Sequence, residues 1–305
     1  MMTPDAAVKH DKQDSREALQ ASRDILVARE FQAPLAALGL TSLDTFFAFD
    51  QGRDLAKGNI GAHRRRFQLK ATLPNEEQAT KLYLKRYDRP PCLPQLVHWL
   101  THRRRVSLAR IEHETACRLA AQGIGTPHTA ACGESWGALF EKRSFLMTRA
   151  VANAESLERK LPPCFHGPVT PDVLRQRRDF IQQLATFVKR FHETGYCHRD
   201  LYFSHIFYST TGSFCLIDLA RAFKPLWRRR FKIKDLAQLH YSAPCDHFSR
   251  SDRLRFYRAY CGRKSLSPAD KSLLVAVLKK AARMARHNRK HDVPVPYLDR
   301  TSRED

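Results

Sequence analysis

The spacing of apolar residues changes character along this chain, and the changes mark its elements. Residues 1 to about 40 are polar and then weakly amphipathic, with Leu19, Ile25 and Leu26 at helical spacing, the pattern of an accessory arm. A β-rich stretch follows. Phe46-Phe47-Ala48-Phe49 reads as a strand, a second lies near Phe67-Gln68-Leu69 and a third at Lys81-Leu82-Tyr83-Leu84-Lys85. The loop after the first carries Gly52, Gly58 and Gly61, and Leu73-Pro74-Asn75-Glu76 is a turn. Helical period returns over 105–122, where Leu108, Ile111, Thr115 and Leu119 share a face and Gly123 closes the helix. Short strands at Ala138-Leu139-Phe140 and Ser144-Phe145-Leu146-Met147 end this half.

From Pro171 the pattern is mostly helical. Thr170 is the N-cap, Pro171 takes the first helical position, and Leu174, Phe180, Ile181, Leu184, Phe187, Val188 and Phe191 trace one stripe up to Gly195. Ile206-Phe207-Tyr208 and Phe214-Cys215-Leu216-Ile217, joined by Ser209-Thr210-Thr211-Gly212-Ser213, form a hairpin. The remainder reads as helices. The fold class is α+β with two lobes: an accessory segment at 1–40, a small β-rich N-lobe at 41–148, a larger mostly helical C-lobe at 149–292 and a charged tail at 293–305.

Composition narrows the partners. With 43% apolar residues the chain is globular, and no stretch is long enough and apolar enough to span a membrane. The eight cysteines are never closer than fifteen residues, which excludes C-x-x-C metal or redox pairs and predicts reduced thiols of a cytoplasmic protein. No apolar run near the start reads as a secretory signal. The net charge of +22 predicts an anionic partner: nucleic acid, a membrane surface or a phosphorylated substrate. Aromatic residues do not interleave with the basic runs, so nucleic acid is not expected.

The candidate chemistry lies in His198-Arg199-Asp200-Leu201-Tyr202-Phe203-Ser204-His205, between the long helix and the hairpin, and in Asp218 at the hairpin's end. Two carboxylates on successive loops suit phosphoryl transfer, one orienting an acceptor hydroxyl and the other holding Mg²⁺ on the phosphates. Lys85, ending an apolar strand, suits the α/β phosphates if a helix carboxylate holds it. Glu112 is in phase with Leu108, Thr115 and Leu119, whereas Glu114 falls off that stripe.

These pieces resemble the protein-kinase-like superfamily, and more closely the lipopolysaccharide core kinases that phosphorylate heptose or Kdo sugars. The resemblance rests on Tyr83-Leu84-Lys85-Arg86-Tyr87, Gly123-Ile124-Gly125-Thr126-Pro127, Ser144-Phe145-Leu146-Met147-Thr148 as the hinge, His198 to His205, Leu216-Ile217-Asp218-Leu219-Ala220-Arg221 and Lys234-Asp235-Leu236-Ala237-Gln238-Leu239. It covers about 40 to 245. It implies a bilobal protein-kinase-like fold using ATP and Mg²⁺, with Asp200 as catalytic base flanked by His198 and Arg199. It further implies Lys85 and Glu112, Gly52 and Gly58, Met147 and Thr148 at the nucleotide, Asp218 and His205 at the metal, and Asp235 bracing the catalytic loop. His205 stands where eukaryotic protein kinases carry Asn, as is typical of the lipopolysaccharide core kinases, which draws the resemblance towards them. The chain departs from the pattern at two places: Arg149 stands at the hinge where an acid is common, and the glycines do not fit G-x-G-x-x-G.

The expected function is phosphate transfer from ATP to a sugar hydroxyl of lipopolysaccharide core, with an anionic surface at the inner face of the inner membrane as second partner. A protein or small-molecule kinase, a pseudokinase and a basic scaffold are the alternatives. Between Asp218 and Asp235 seven cations occur without an acid, positioned for substrate phosphates or carboxylates. Lys280, Arg283, Arg286 and Arg289 line one face of the last helix, opposite Leu274, Val277, Leu278 and Ala281. That helix is either a core helix with a basic outer face or a membrane-surface helix.

Overall fold

A computed structural model describes residues 19–22, 24–55, 63–74, 76–166 and 168–298. The chain divides into two units, one built from residues up to Glu114 plus Pro127–Ala150, the other from Thr115–Thr126 plus Val151 onward.

The first unit is built on a sheet of β1 (Leu19–Ser22), β2 (Ile25–Ala28), β3 (Arg53–Asp54), β4 (Arg64–Ala71), β5 (Thr80–Asp88), β6 (Thr129–Trp136) and β7 (Glu141–Arg149). Every pairing is antiparallel in the order β1-β2-β6-β7-β5-β4-β3. The two-residue period of β5 sets its faces. Leu82 and Leu84 enter a core with Phe31, Leu35, Phe46, Phe145 and Met147, while Lys85 and Tyr87 point the other way, where Tyr87 packs with Ala109, Cys132 and Leu146.

Two short helices, α1 (Gln32–Ala37) and α2 (Leu43–Ala48), contribute to the first core. Phe46–Phe49, expected as a strand, is the end of α2. Ser42 starts that helix, its hydroxyl accepting the Thr45 N–H at 3.3 Å while the Thr45 hydroxyl accepts the Ser42 N–H at 3.0 Å. Arg86 closes it by donating to the carbonyls of Phe46 (3.1 Å), Phe47 and Phe49 (2.9 Å). A cap and a distant arginine thus override the β propensity of the Phe-Phe pair.

Two further expectations change. From Ile25 on, the segment read as an accessory arm is core: Ile25, Val27, Phe31, Leu35 and Leu40 are buried, and β2 pairs with β6. Ala138–Phe140, read as a strand, lies in the turn from β6 to β7, closed by the Gly137 N–H on the Phe140 carbonyl at 2.9 Å. The unit also contains α3 (Cys92–His102), absent from the sequence reading, and the start of α4 (Leu108–Ala120). As expected, Gly123 closes the turn that ends α4 after Ala120, and its φ of +74° suits glycine.

The second unit centres on α5 (Pro171–Glu193). The Thr170 hydroxyl caps it by accepting the Val173 N–H at 3.2 Å, and Phe180, Ile181, Leu184, Val188 and Phe191 are buried along the expected stripe. The hairpin forms as β9 (Ile206–Ser209) and β10 (Phe214–Leu216), extended by β8 (Ala154–Ser156). Three helices follow: α6 (Arg228–Ser242), α7 (Arg250–Cys261) and α8 (Pro268–Arg289). Val277, Ala281 and Ala285 of α8 are buried while Arg283, Arg286 and Arg289 are exposed, so it is a core helix with a basic outer face. Val295, in the expected tail, is fully buried beside Tyr241 and Ala285. Among the described residues no helix is long and apolar enough to cross a membrane.

Candidate active site

In the first unit, Lys85 Nζ lies 2.6 Å from Glu112 Oε1, with both side chains mostly buried. The strand's alternation points the lysine at α4, and the helix's period supplies the carboxylate. Glu114, off that phase, pairs instead with Arg104 and with Arg110 at 3.6 Å. The hinge expectation shifts: Ser144–Thr148 are interior residues of β7, which leaves the sheet only after Arg149. Met147 has no exposure and its neighbours across the sheet are Leu84 and Ala131, so its side chain packs the core instead of facing a nucleotide. Thr148 is half-buried and pairs with Tyr83 and Thr129. Arg149 pairs with Glu76 at 2.5 Å. Gly52 has a packing reason, since a Cβ there would stand 3.1 Å from the Gln68 carbonyl oxygen. Gly58 lies outside the described residues.

In the second unit, one helix holds the loop from His198 to His205. Asp235 of α6, fully buried, accepts the His198 N–H at 2.7 Å on Oδ2 and the Arg199 N–H at 2.8 Å on Oδ1. Gln238 Oε1 accepts the Leu201 N–H at 3.1 Å, and Ser242 Oγ accepts the Phe203 N–H at 3.0 Å. Positions 235, 238 and 242 share a helix face, so α6 satisfies the loop's backbone donors in sequence. Asp235 was expected as a brace; Gln238 and Ser242 were missed, and their helical spacing from Asp235 was the available signal. His192, Cys197 and Asp235 have ligand-type atoms within 4.8 Å of one another. Both carboxylate oxygens of Asp235 already accept backbone N–H groups, so within this trio Asp235 braces the loop.

Two corrections concern the residues before Asp200. His198, expected among the catalytic groups, has no solvent exposure. Burial holds its pKa below the usual imidazole value, and its Nε2–H donates to the Ile217 carbonyl at 3.0 Å, fixing the loop beside Asp218. Its side chain faces the interior of the unit. Arg199, expected to meet substrate anions, is half-buried with its guanidinium 5.4 Å from the centre of the Phe223 ring. Its φ of +70° and that of Asp218, +59°, are left-handed, a conformation retained where the surroundings enforce it and found often at functional sites.

Asp200 itself is partly exposed. Both its oxygens accept from one Arg221 nitrogen, at 3.0 and 2.8 Å, and Lys234 Nζ stands 3.9 Å away. His205 connects the two acids. Its Nδ1 donates to the Asp200 carbonyl at 2.7 Å, which turns Nε2 towards Asp218, 4.0 Å from Oδ2. Mg²⁺ takes ligands at about 2.1 Å in octahedral geometry, so ligand pairs stand roughly 3–4 Å apart. The Asp218–His205 pair fits such an ion completed by phosphate oxygens and water, with imidazole the softer donor.

Only residues 219–227 separate Asp218 from α6. They form a short 3-10 turn at Leu219–Arg221, with Phe223 bridged to Cys197 and Leu226 and Trp227 exposed. The cations at 221, 224, 228, 229 and 230 are all exposed.

The family model described as "Lipopolysaccharide kinase (Kdo/WaaP) family" matches residues 65–260. A lipopolysaccharide core heptose(I) kinase, WaaP, of Pseudomonas aeruginosa is 31% identical over 160 residues, 50% of this chain and 59% of that protein. The WaaP of Escherichia coli K12 is 29% identical over 215 residues, 67% of this chain and 80% of that one. Among solved structures, WaaP in complex with acyl carrier protein superposes with a TM-score of 0.57 at 25% identity, over 84% of this chain and 96% of that one.

Proposed function

The chain belongs to the lipopolysaccharide kinase (Kdo/WaaP) family, and from that premise we propose that it transfers the γ-phosphate of ATP to a sugar hydroxyl, heptose or Kdo, of lipopolysaccharide core. The observation that carries this reading is the His205 link, which ties the Asp200 backbone to the Asp218 side chain within one unit.

Asp200 orients the acceptor hydroxyl and receives its proton as the oxygen attacks phosphorus. Arg221 and Lys234 fix the carboxylate that does so. Asp235, Gln238 and Ser242 keep the loop rigid. Lys85, held by Glu112, binds nucleotide phosphates. Mg²⁺ on Asp218, with His205 as second donor, would neutralise charge on the transferring phosphates. The exposed cations between 221 and 230 meet the acceptor's phosphates or Kdo carboxylates. The acceptor is membrane-borne and the enzyme works at the cytoplasmic face of the inner membrane.

A peptide acceptor is disfavoured by the shortness of segment 219–227, which leaves no room for a peptide platform, and by the exposed cations Arg221, Lys224 and, at the start of α6, Arg228, Arg229 and Arg230. The test offers purified lipopolysaccharide, free sugars and peptides with labelled ATP to the full chain and to Asp200→Ala. Label should enter lipopolysaccharide alone, and only with the intact chain; transfer by a folded Asp200→Ala protein would remove the assignment. Salt should raise KM for lipopolysaccharide and leave KM for ATP nearly unchanged.

A further inference from the structure

Helix α3 is packed inside out. Leu93, Leu96, Val97 and Leu100 fall at i, i+3, i+4 and i+7, the spacing of a core-facing stripe, yet they are 71%, 41%, 55% and 79% exposed. Polar and aromatic groups hold the helix instead. Buried Gln95 donates to the carbonyls of Pro90 (2.6 Å) and Glu141 (3.4 Å) and accepts the Glu141 N–H at 2.8 Å. Trp99 stacks on Phe140, with ring centres 5.6 Å apart, and donates to the Val106 carbonyl at 3.1 Å. Leu139, exposed in the turn that carries Phe140, adds another apolar side chain. A contiguous aliphatic row left in water marks a surface that something covers.

Charge identifies what covers it. The helix runs directly into Arg103, Arg104 and Arg105, all exposed. Arg105 lies 4.3 Å from the centre of the Trp136 ring, beside a cavity of about 490 Å³ where Arg104 and Arg110 are paired with Glu114 and Glu134 also lines the wall, so Arg103 and Arg105 supply the outward charge. An aliphatic face ending in a cationic cluster is complementary to a layer with acyl chains below and phosphates above. A second copy fits worse, because it would bring two arginine clusters together on chains of net charge +22. A rigid protein partner also fits worse, since the surface is one convex helix whose exposed stripe is Leu and Val and not the Trp and Tyr that anchor such interfaces.

We propose that α3 docks the protein on an anionic bilayer, lying in the interface with Leu93, Leu96, Val97 and Leu100 among the acyl chains and Arg103 and Arg105 on lipid phosphates. The inference rests on the membrane-borne acceptor proposed above, and it places the docking surface on α3 instead of on the basic face of α8. Its test involves no phosphate transfer, so either proposal can fail without the other.

The full chain is floated with vesicles of phosphatidylcholine alone or mixed with phosphatidylglycerol, at low and high salt. It should float with the anionic vesicles and release in salt. The Val97→Glu, Leu100→Glu variant should lose at least about tenfold in partitioning. The Arg103→Gln, Arg105→Gln variant should lose about thirtyfold at low salt, roughly fivefold per cation. Cys92, exposed at the start of α3, provides a reading that leaves the stripe intact. In a chain with Cys117, Cys245 and Cys261 changed to Ser, an environment-sensitive dye on Cys92 should shift to the blue on anionic vesicles. Equal flotation by the variants, an unmoved dye, loss of binding confined to Leu226→Asp or to charge reversal on α8, or a dimer dispersed by Leu100→Glu would each overturn the proposal.

Discussion

One Arg221 nitrogen donates to both carboxylate oxygens of Asp200, at 3.0 and 2.8 Å. The arginine is 54% exposed and its partner 22%, so the contact orients the acid more than it stabilises the fold. Arg221→Ala should lower kcat by about 100-fold, the scale of a misplaced reacting group, with KM for ATP nearly unchanged. Arg221→Lys should recover part of the loss, because an ammonium keeps the charge without the planar guanidinium. Steady-state kinetics of the two variants against wild type checks this, and an unaltered kcat in Arg221→Ala would assign the residue to the surface alone.

The ion pair of Lys85 and Glu112 predicts a nucleotide-binding signature independent of turnover. Saturating Mg-ATP at about 100 times Kd should stabilise the native protein by about 2.7 kcal/mol. Lys85→Ala should abolish that shift, and Glu112→Gln should weaken ATP affinity about tenfold by freeing the lysine. Glu114→Gln should do neither, since that carboxylate is engaged with Arg104 and Arg110. Thermal melts with and without nucleotide decide among them.

Much of this was legible because it depends on local periods. The phase of Leu108, Thr115 and Leu119 selected Glu112 over Glu114, and the stripe on α5 was read with its cap and its proline. What failed depended on partners far along the chain. Phe46–Phe49 ends a helix because Arg86, about 40 residues later, takes its carbonyls. Met147 lies in the core because β7 is an inner strand, which no local pattern specifies. His198 and Arg199 carry polar side chains, yet Asp235 ties down both of their N–H groups and the loop turns the His198 side chain inward. The apolar spacing of α3 is that of a buried face, and only the structure shows it turned to solvent.

Asp235 should be the most costly single residue to remove from the catalytic loop. Asp235→Ala leaves two backbone N–H groups without their acceptor and deprives His192 of a partner at 3.3 Å, all within the core. A loss of about 3–5 kcal/mol is expected from urea unfolding. Asp235→Asn retains one acceptor oxygen and should fall between Ala and wild type. Activity should decline further than the unfolded fraction accounts for, because the loop that carries Asp200 loosens in molecules still folded. A variant with wild-type stability would remove Asp235 from the brace.

Glu141 makes stability depend on pH in a direction opposite to that of a salt-bridged acid. It is buried, accepts the Ser144 hydroxyl at 2.5 Å and the Leu108 N–H at 3.2 Å, and burial raises its pKa from 4.5 to about 7. Between those two values the folded chain holds a proton that the unfolded chain has lost, so this group's contribution to stability falls as pH rises. It is fully present below 4.5 and lost through about 7, a span on the order of 3 kcal/mol. Glu141→Gln mimics the protonated acid: the amide oxygen accepts from Leu108 and the amide nitrogen donates to Ser144. Denaturant unfolding of both proteins across this range should therefore show the variant gaining on wild type as pH rises, with little difference near pH 4.5. Parallel curves would mean that Glu141 is ionised in the folded protein throughout. Because Gln95 of α3 binds the backbone of this same residue, hydrogen exchange in α3 should accelerate in wild type over that pH range, beyond the intrinsic rate change, and stay level in Glu141→Gln.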